Sequence, residues 1–409
     1  MNVTLRLAWR NLWRNRRRTW LTVGAMIFTN LLMIFLISLQ LGSYDMMIEN
    51  SLRAFTGHLQ VQRLGYLEEP RLRESFNGAQ ALAEQLRSRL GVQNVAARAK
   101  GFALASSEDR SFGIQILGVE PDYEPRVSSL PGLVKTGSWF SSEAAEEIVL
   151  GAVVARNLKV GVGDEITLIG SGRDGSFAAA LVTVVGLLES GIPDLDRLVA
   201  QMPLRTFQAV FSMPDQAHML VVELGGLDQV AAALQQAQQL ISERPELVAL
   251  DWDVLQPGLK QAIQTDMASA WFMYAVLIIL VSLSVMNTQL MSVLERTREF
   301  GTMLALGIRP GRLGRLVMLE SLVMSGLGLA IGVCGGAILA LYLSQAGFSY
   351  PGMEEMGAKF NLPGRIYPAF TLLALFWGPS VLFVGAMLAT IYPALKLLRL
   401  QPVAAMRAV

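Results

Sequence analysis

Four long runs without a charged residue decide what this chain can become. They cover residues 19–42, 267–294, 321–353 and 366–395. A bilayer core is crossed by about 20 apolar residues in helical form. A water-soluble helix of such length would carry a polar stripe, and none of these runs has one. The runs predict transmembrane helices at 19–42, 267–291, 316–345 and 369–395. The first is longer than the roughly 7–15 residues of a signal-peptide core. No small-x-small cleavage site follows at Gly42-Ser43-Tyr44, so it reads as a retained span.

Charge placement orients these spans. The formal net charge is only +1, but none of the 33 acidic residues precedes Asp45. Residues 45–266 hold 28 acids against 18 bases, a net charge of −10, and the remainder holds 16 bases against 5 acids, a net +11. Arginine gathers in the N-terminal segment (Arg6, Arg10, Arg14, Arg16, Arg17, Arg18). It gathers again between spans two and three (Arg296, Arg298, Arg309, Arg312, Arg315), and Lys396, Arg399 and Arg407 lie in the tail. The loop between spans three and four is balanced, with Glu354 and Glu355 against Lys359 and Arg365. Basic residues stay on the cytoplasmic side of a membrane. The expected layout is a cytoplasmic N-terminal segment at 1–18, an extracytoplasmic domain at 43–266, a cytoplasmic loop at 292–315, an outer loop at 346–368 and a cytoplasmic tail at 396–409.

Within 1–18, Leu5, Ala8, Trp9, Leu12 and Trp13 recur at helical spacing beside arginines. This predicts an amphipathic helix in the membrane interface. The 43–266 segment reads as mixed α/β. Strands are expected at 57–64, 112–119, 147–150, 165–169, 180–188 and 218–224. Helices are expected at 78–90, in part of 144–158, and at 227–243. Two helix–strand alternations suggest two subdomains. The predicted fold class is an α-helical membrane protein with four transmembrane helices and a large extracytoplasmic mixed α/β domain.

Composition removes several functions. A single cysteine, Cys334, permits neither an intrachain disulfide nor a cysteine zinc site. Two histidines, His58 and His218, are few for a metal site or for a nucleophile–base pair, and both read as surface or strand residues. Gly-Lys-Ser/Thr occurs nowhere, so these residues hold no P-loop, and ATP, if used, is bound by another chain.

The loop between spans two and three carries the richest pattern. Residues 292–307 read as one helix with Glu295 and Glu299 four apart, Arg296 and Arg298 beside them, and Gly307 as its C-terminal cap. Such a helix is either a solvated face or a docking element for a cytoplasmic partner. In span three, Gly328, Gly332 and Gly336 allow close helix approach, within the chain or at a dimer seam. Pro379 is expected to bend span four. Cys334 reads as a small packing residue. Glu320, near the membrane boundary, is expected to pair with Arg315 or Arg312.

The phrase Met291-Ser-Val-Leu-Glu-Arg-Thr-Arg-Glu-Phe-Gly301, then Ala305-Leu-Gly307 and Leu319-Glu320-Ser321, resembles the FtsX-like permease domain. So does the ending Tyr392-Pro393-Ala394 with Gln401-Pro402-Val403, although many members carry Asp where this chain has Gln401. Ile148-Val-Leu-Gly151, Val160-Gly-Val-Gly-Asp164, Leu117-Gly-Val-Glu-Pro121 and Val184-Val-Gly-Leu187 resemble the MacB-like periplasmic domain. The opening Ala8-Trp-Arg-Asn-Leu-Trp-Arg-Asn-Arg-Arg-Arg-Thr19 fits the same family. Gly57-His-Leu-Gln-Val-Gln-Arg-Leu-Gly-Tyr66 with Glu68-Glu-Pro70 is most similar to the lipoprotein-releasing (Lol-type) branch.

The resemblance implies a permease subunit of an ABC transporter in the bacterial inner membrane. It would work by mechanotransmission, pairing with a second permease subunit as homo- or heterodimer on a cytoplasmic ABC ATPase dimer that holds ATP and Mg. No cofactor is expected on this chain. The loop would be the ATPase-coupling helix, with Glu295, Arg296, Arg298, Glu299 and Gly307 as its residues. Lipoproteins or another lipidic substrate, membrane lipid and a periplasmic acceptor are the implied outer partners, and nucleic acid is not. Acyl chains would enter beside spans one and two, where Met26, Phe28, Met33, Phe35, Trp271, Phe272 and Tyr274 are candidate contacts or ordinary lipid-facing residues. Two other functions fit the same family: an FtsX-like regulator of a cell-wall hydrolase, and a MacB-type exporter of small molecules or peptides.

Overall fold

The computed structural model of the chain describes residues 3–14, 16–108, 110–191, 193–353 and 364–398. The charges at 354, 355, 359 and 399 and the closing phrase at 401–407 lie outside the described residues, as does the Leu5 side chain. Two compact units form: Met1–Asp45 with Ala262–Tyr350 and Arg365–Val409, and Met46–Gln261 with Pro351–Gly364.

In chain order, α1 (Val3–Arg14) and α2 (Arg16–Ser51) come first, followed by a π-helical turn at Leu52–Thr56. Then come β1 (Leu59–Arg63), β2 (Phe76–Asn77), α3 (Ala79–Leu90), β3 (Val95–Ser106), β4 (Ser111–Val119) and α4 (Glu124–Val127). Next are β5 (Val134–Gly137), β6 (Glu147–Gly151), α5 (Ala152–Leu158), β7 (Glu165–Ser171), β8 (Phe177–Leu188) and α6 (Pro193–Leu198). They are followed by β9 (Val199–Pro203), α7 (Leu204–Val210), β10 (Gln216–Ala217), β11 (Met219–Val222), α8 (Val230–Leu240), β12 (Leu247–Asp251) and α9 (Trp252–Leu255). The chain closes with α10 (Pro257–Glu295), α11 (Thr297–Ala305), α12 (Pro310–Ala346) and α13 (Leu372–Leu398).

Among the described residues, the helices at Arg16–Thr56, Pro257–Glu295, Pro310–Ala346 and Leu372–Leu398 are long and apolar enough to cross a membrane. α12 is the packing hub of their unit. Its glycines lie against α2: a Cβ at Gly328, Gly332 or Gly336 would come within 2.7, 2.6 and 2.5 Å of Met26, Asn30 and Ile34. The glycine stripe therefore serves packing inside the chain, as close helix approach requires, but its partner is span one. Span four uses a different face of α12, where Thr390 donates a hydroxyl hydrogen bond to Ser321 at 3.1 Å. α13 continues through both Pro379 and Pro393. Cys334 is exposed, so its expected packing role does not hold; the buried glycines 332 and 336 point the other way round the helix.

The α/β unit is built around β3. Its first residues pair with β11 (Val95 with Val222, Arg98 with Met219), and β1 and β12 extend the sheet beyond. Its later residues pair with β4 on one side and β7 on the other. From there the pairings run β4–β9, β9–β6, β6–β8 and β8–β7, which closes a ring. Two subassemblies, a sheet backed by α3 and α8 and a small barrel, thus share one strand and one core. Closure removes the open edges that a free sheet would present. Phe207 of α7 fits because Gly118 lacks a side chain: a Cβ there would lie 2.7 Å from the Phe207 Cβ.

Strands at 57–64, 112–119, 147–150, 165–169, 180–188 and 218–224 appear with shifted ends. β2, β3, β5, β9, β10 and β12 are not among the strands expected from the sequence. The sequence of β3, VAARAKGFALAS, is alanine-rich and favours helix locally. Pairing on both sides overrides that preference.

Candidate functional site

The loop between α10 and α12 is not one helix. α10 ends at Glu295, Arg296 leaves helical geometry at φ −102° and ψ 12°, and α11 begins at Thr297. α11 is amphipathic. Phe300 and Gly301 are buried, and Phe300 packs with Val293, Leu313, Val317 and Leu397. Arg298, Thr302, Ala305 and Leu306 face outward, Leu306 at 79% exposure. The helix stops where expected: Gly307 has φ +89°, its N–H reaches the Leu304 carbonyl at 3.0 Å, and Ile308 N–H reaches Met303 at 3.1 Å. A left-handed residue just past a helix end is the usual glycine role. Pro310 then opens α12, where its missing N–H costs nothing.

The two glutamates of the loop, expected on one helix face, are separated by the break at Arg296. Each turns toward an N-terminal arginine. Arg18 Nη1 lies 2.8 Å from Glu295 Oε2, and Arg14 Nη2 lies 3.0 Å from Glu299 Oε1. Glu299 is also 3.2 Å from Arg296 Nε. Burial pushes the Glu299 carboxyl up, but the hydrogen bonds and charges of Arg14 and Arg296 outweigh it and hold the group below its ordinary range.

Glu320 pairs with neither Arg315 nor Arg312. At 100° per residue, Arg315 sits about 140° around the helix from Glu320, and both arginines are exposed. The partner is Arg296, whose Nη1 lies 2.9 Å from Glu320 Oε1 and 3.3 Å from Oε2. Asn11 Nδ2 donates to the same Oε1 at 2.8 Å.

A second feature lies at the far ends of α2 and α10. There Tyr44 donates to Asp266 Oδ2 at 2.5 Å, Tyr274 donates to Gln40 Oε1 at 2.8 Å, and Gln40 Nε2 donates to the Tyr44 hydroxyl at 2.6 Å. Beside this cluster opens a cavity of about 450 Å³, with Leu36, Leu39, Ala270 and Met273 among its walls. Of the cluster's residues only Tyr274 is among the candidates expected beside spans one and two. The cluster's signal was present: Gln40 and Tyr44 lie four apart, and Asp266 immediately precedes the second uncharged run.

The candidate cargo contacts divide. Trp271 and Phe272 are exposed, at 41% and 74%, and Trp271 meets Trp377 edge-on at 4.1 Å. Phe35 is half-buried against Phe348 at 5.5 Å. Met33 and Met26 are buried inside the helical unit, Met33 against Ile37, Tyr274 and Ala374, and offer no outer face. The α2 stripe that carries them is the one that meets the other helices.

His58 and His218 are both fully buried and not surface residues. His218 Nδ1 accepts from the Lys100 N–H at 3.0 Å, its Nε2–H donates to the Leu72 carbonyl at 3.1 Å, and its ring stacks on Tyr66. Burial pushes its imidazole down to about 4, with Arg173 and Lys100 adding to the effect against the Leu72 hydrogen bond. It is a neutral structural residue with both nitrogens occupied.

Two family descriptions match the chain: the MacB-like periplasmic core domain over residues 19–240 and the FtsX-like permease C-terminal domain over residues 271–402. Among curated relatives, the lipoprotein-releasing system transmembrane protein LolE of Haemophilus influenzae is 24% identical over 88% of this chain and 88% of its own. LolC of Xylella fastidiosa (strain 9a5c) is 25% identical over 71% of this chain and 72% of its own. The macrolide export ATP-binding/permease protein MacB of Chlorobaculum tepidum is 25% identical over 98% of this chain and 60% of its own.

Proposed function

Since the chain belongs to the FtsX/MacB/LolC family of ABC transporter permeases, we propose that it converts ATP hydrolysis on a separate ATPase into motion of its α/β unit. Members of this family work with a cytoplasmic ABC ATPase. The observation that carries the reading is the outward face of α11. Its inner side is anchored by Phe300, while Arg298, Thr302 and an almost fully exposed Leu306 are left for a partner. An apolar anchor rimmed by polar groups is the usual anatomy of a docking site. In this reading the chain lies in the bacterial inner membrane, both termini and α11 are cytoplasmic, the α/β unit is periplasmic, and a second permease subunit completes the assembly.

The substrate class we propose is lipidic, with lipoproteins first. The cavity between α2 and α10 supports it, because its apolar walls suit acyl chains and its rim offers Gln40, Tyr44 and Asp266 to a polar headgroup or linkage. The barrel face formed by β3, β7 and β8 supports an outer protein partner. It exposes Phe102, Leu104, Phe177 and Leu181, more apolar side chain than a soluble surface usually leaves bare.

The test is purification of the full-length chain from native membranes. An ABC ATPase should co-purify, and lipid-modified proteins should be retained by the wild type but not by an Ala270→Trp variant that fills the cavity. A preparation free of any ATPase would sink the transporter reading. Retention of soluble, unlipidated proteins alone would replace it with regulation of an outer enzyme.

A further inference from the structure

The N-terminal helix and the start of α2 are tied to the loop and to α12 by contacts between residues far apart in sequence. Arg14 meets Glu299, Arg18 meets Glu295, and Asn11 meets Glu320, at 3.0, 2.8 and 2.8 Å. The apolar side of α1 supports the same placement. Ala8 and Leu12 are buried one helical turn apart, and Leu12 packs with Val23 and Met324. The helix therefore has a protein-facing stripe, which half-buried Trp13 joins, in addition to the arginines and the exposed Trp9 expected of an interfacial segment.

These contacts differ in weight. Arg14 and Glu299 are half-exposed, and solvent screens such pairs heavily. Arg296 and Glu320 are 7% and 5% exposed, so loss of one leaves the other as a buried uncompensated charge. Arg296 also occupies the break between α10 and α11, where it contacts Glu299 and lies 4.9 Å from the Phe300 ring. Whatever holds Arg296 sets the angle at which α11 leaves α10. Glu320 holds it, and the same carboxylate oxygen holds Asn11 of α1.

We infer that Glu320 is the positioning residue of a three-way joint that fastens α1 and α11 to the foot of α12, so that a push on the loop moves all three together. The functional half of this inference rests on the reading that α11 meets an ATPase. The geometric half does not. The N-terminal helix becomes part of the transmission; Glu299 acts toward it through Arg14, and Glu295 toward the start of α2 through Arg18, more than toward an outside partner.

The experiment uses the full-length chain in membranes with Cys334→Ser as background. Arg14→Cys and Glu299→Cys together remove the exposed ion pair and place two thiols for a short bifunctional reagent. Cross-linking should be rapid. Adding Glu320→Gln should slow it about tenfold, and the swap Arg296→Glu with Glu320→Arg should restore most of the rate, since the buried pair is re-formed with reversed sign. An unchanged rate in Glu320→Gln overturns the joint. In the second arm, Glu320→Gln alone is purified with the ATPase that accompanies the wild type. The ATPase should remain bound at the wild-type ratio while its turnover changes about tenfold, and Glu320→Asp, which keeps the charge opposite Arg296, should recover part of it. Unchanged turnover, or loss of the ATPase, overturns the positioning role. A wild-type chain that brings down no ATPase refutes the transporter reading and leaves the cross-linking arm to judge the joint.

Discussion

Arg98 and Glu124 form a two-point ion pair that solvent does not reach: Nε to Oε2 at 2.9 Å and Nη2 to Oε1 at 2.6 Å, both side chains at 0% exposure. The remaining Arg98 nitrogen binds the Phe55 carbonyl in the π-helical turn that follows α2. That turn is further held by Gln256, which accepts from Ser51 at 2.6 Å and donates to Thr56. β3, the strand shared by sheet and barrel, thus also anchors the segment through which α2 enters the α/β unit.

Breaking this pair from one side should be costly. Glu124→Ala leaves a buried guanidinium, and a loss of about 3–5 kcal/mol is expected for the unfolding of the α/β unit. Replacing both residues with apolar side chains of similar volume should recover most of it. Denaturant titration of the purified chain measures both, and a single variant within about 0.5 kcal/mol of wild type would contradict full burial.

Acid should act on the same unit through His218. Its folded pKa is about 4, below the ordinary 6.5, so the unfolded chain takes up the proton first. The stability contribution is complete above pH 6.5 and is lost as pH falls toward 4, by about 3 kcal/mol in all. His218→Gln keeps one acceptor and one donor but does not titrate. Its melting temperature should fall less between these two pH values than that of the wild type, and parallel curves would refute the assignment.

The glycine stripe of α12 predicts a sharp positional contrast. At Gly332 a methyl would sit 2.6 Å from the Asn30 Cβ, whereas at Gly326 nothing lies within 4 Å. Gly332→Ala should destabilise the helical unit by about 1–3 kcal/mol through overpacking, and Gly326→Ala should be neutral or slightly stabilising. Thermal unfolding in detergent separates the two, and equal behaviour would show that α2 and α12 do not meet as described.

At the loop, Leu306→Asp should leave the fold intact, because the side chain is 79% exposed, yet lower ATPase co-purification about tenfold or more, as loss of an interface anchor does. Gly307→Ala should act differently. It forces a left-handed conformation on a residue with a Cβ, at about 1 kcal/mol, and should loosen the end of α11. If Leu306→Asp retains the ATPase at wild-type ratio, the docking face lies elsewhere.

What was legible in the residues was whatever local spacing or a long run can state. The uncharged runs, the loop phrase and the capping role of Gly307 needed only the sequence, because a span is a matter of length and a cap a matter of one backbone angle. Glu320 shows where that reasoning stops. Its sequence neighbours Arg312 and Arg315 suggested a partner, but helical rotation carries Arg315 away and about 12 Å of rise separates Arg312, and the true partners are 24 and 309 residues distant. The strand β3 was missed for a related reason: alanine content argues for helix until two neighbouring strands claim the backbone. Of the two places expected for the histidines, surface or strand, the surface one fails, because a ring nitrogen's partner can be a main-chain group from anywhere in the chain.

The amino-acid order alone settled that the chain carries four uncharged runs of membrane length and an acidic insert between the first two, since each follows from composition over a contiguous stretch. Only the tertiary structure decided which charges neutralise one another, which face of the glycine-rich helix meets span one, and that one strand serves both a sheet and a barrel. Those outcomes depend on burial. A carboxylate such as Glu320 or Glu124 cannot remain in a dry interior without a donor, and the packing of distant segments selects which donor it receives.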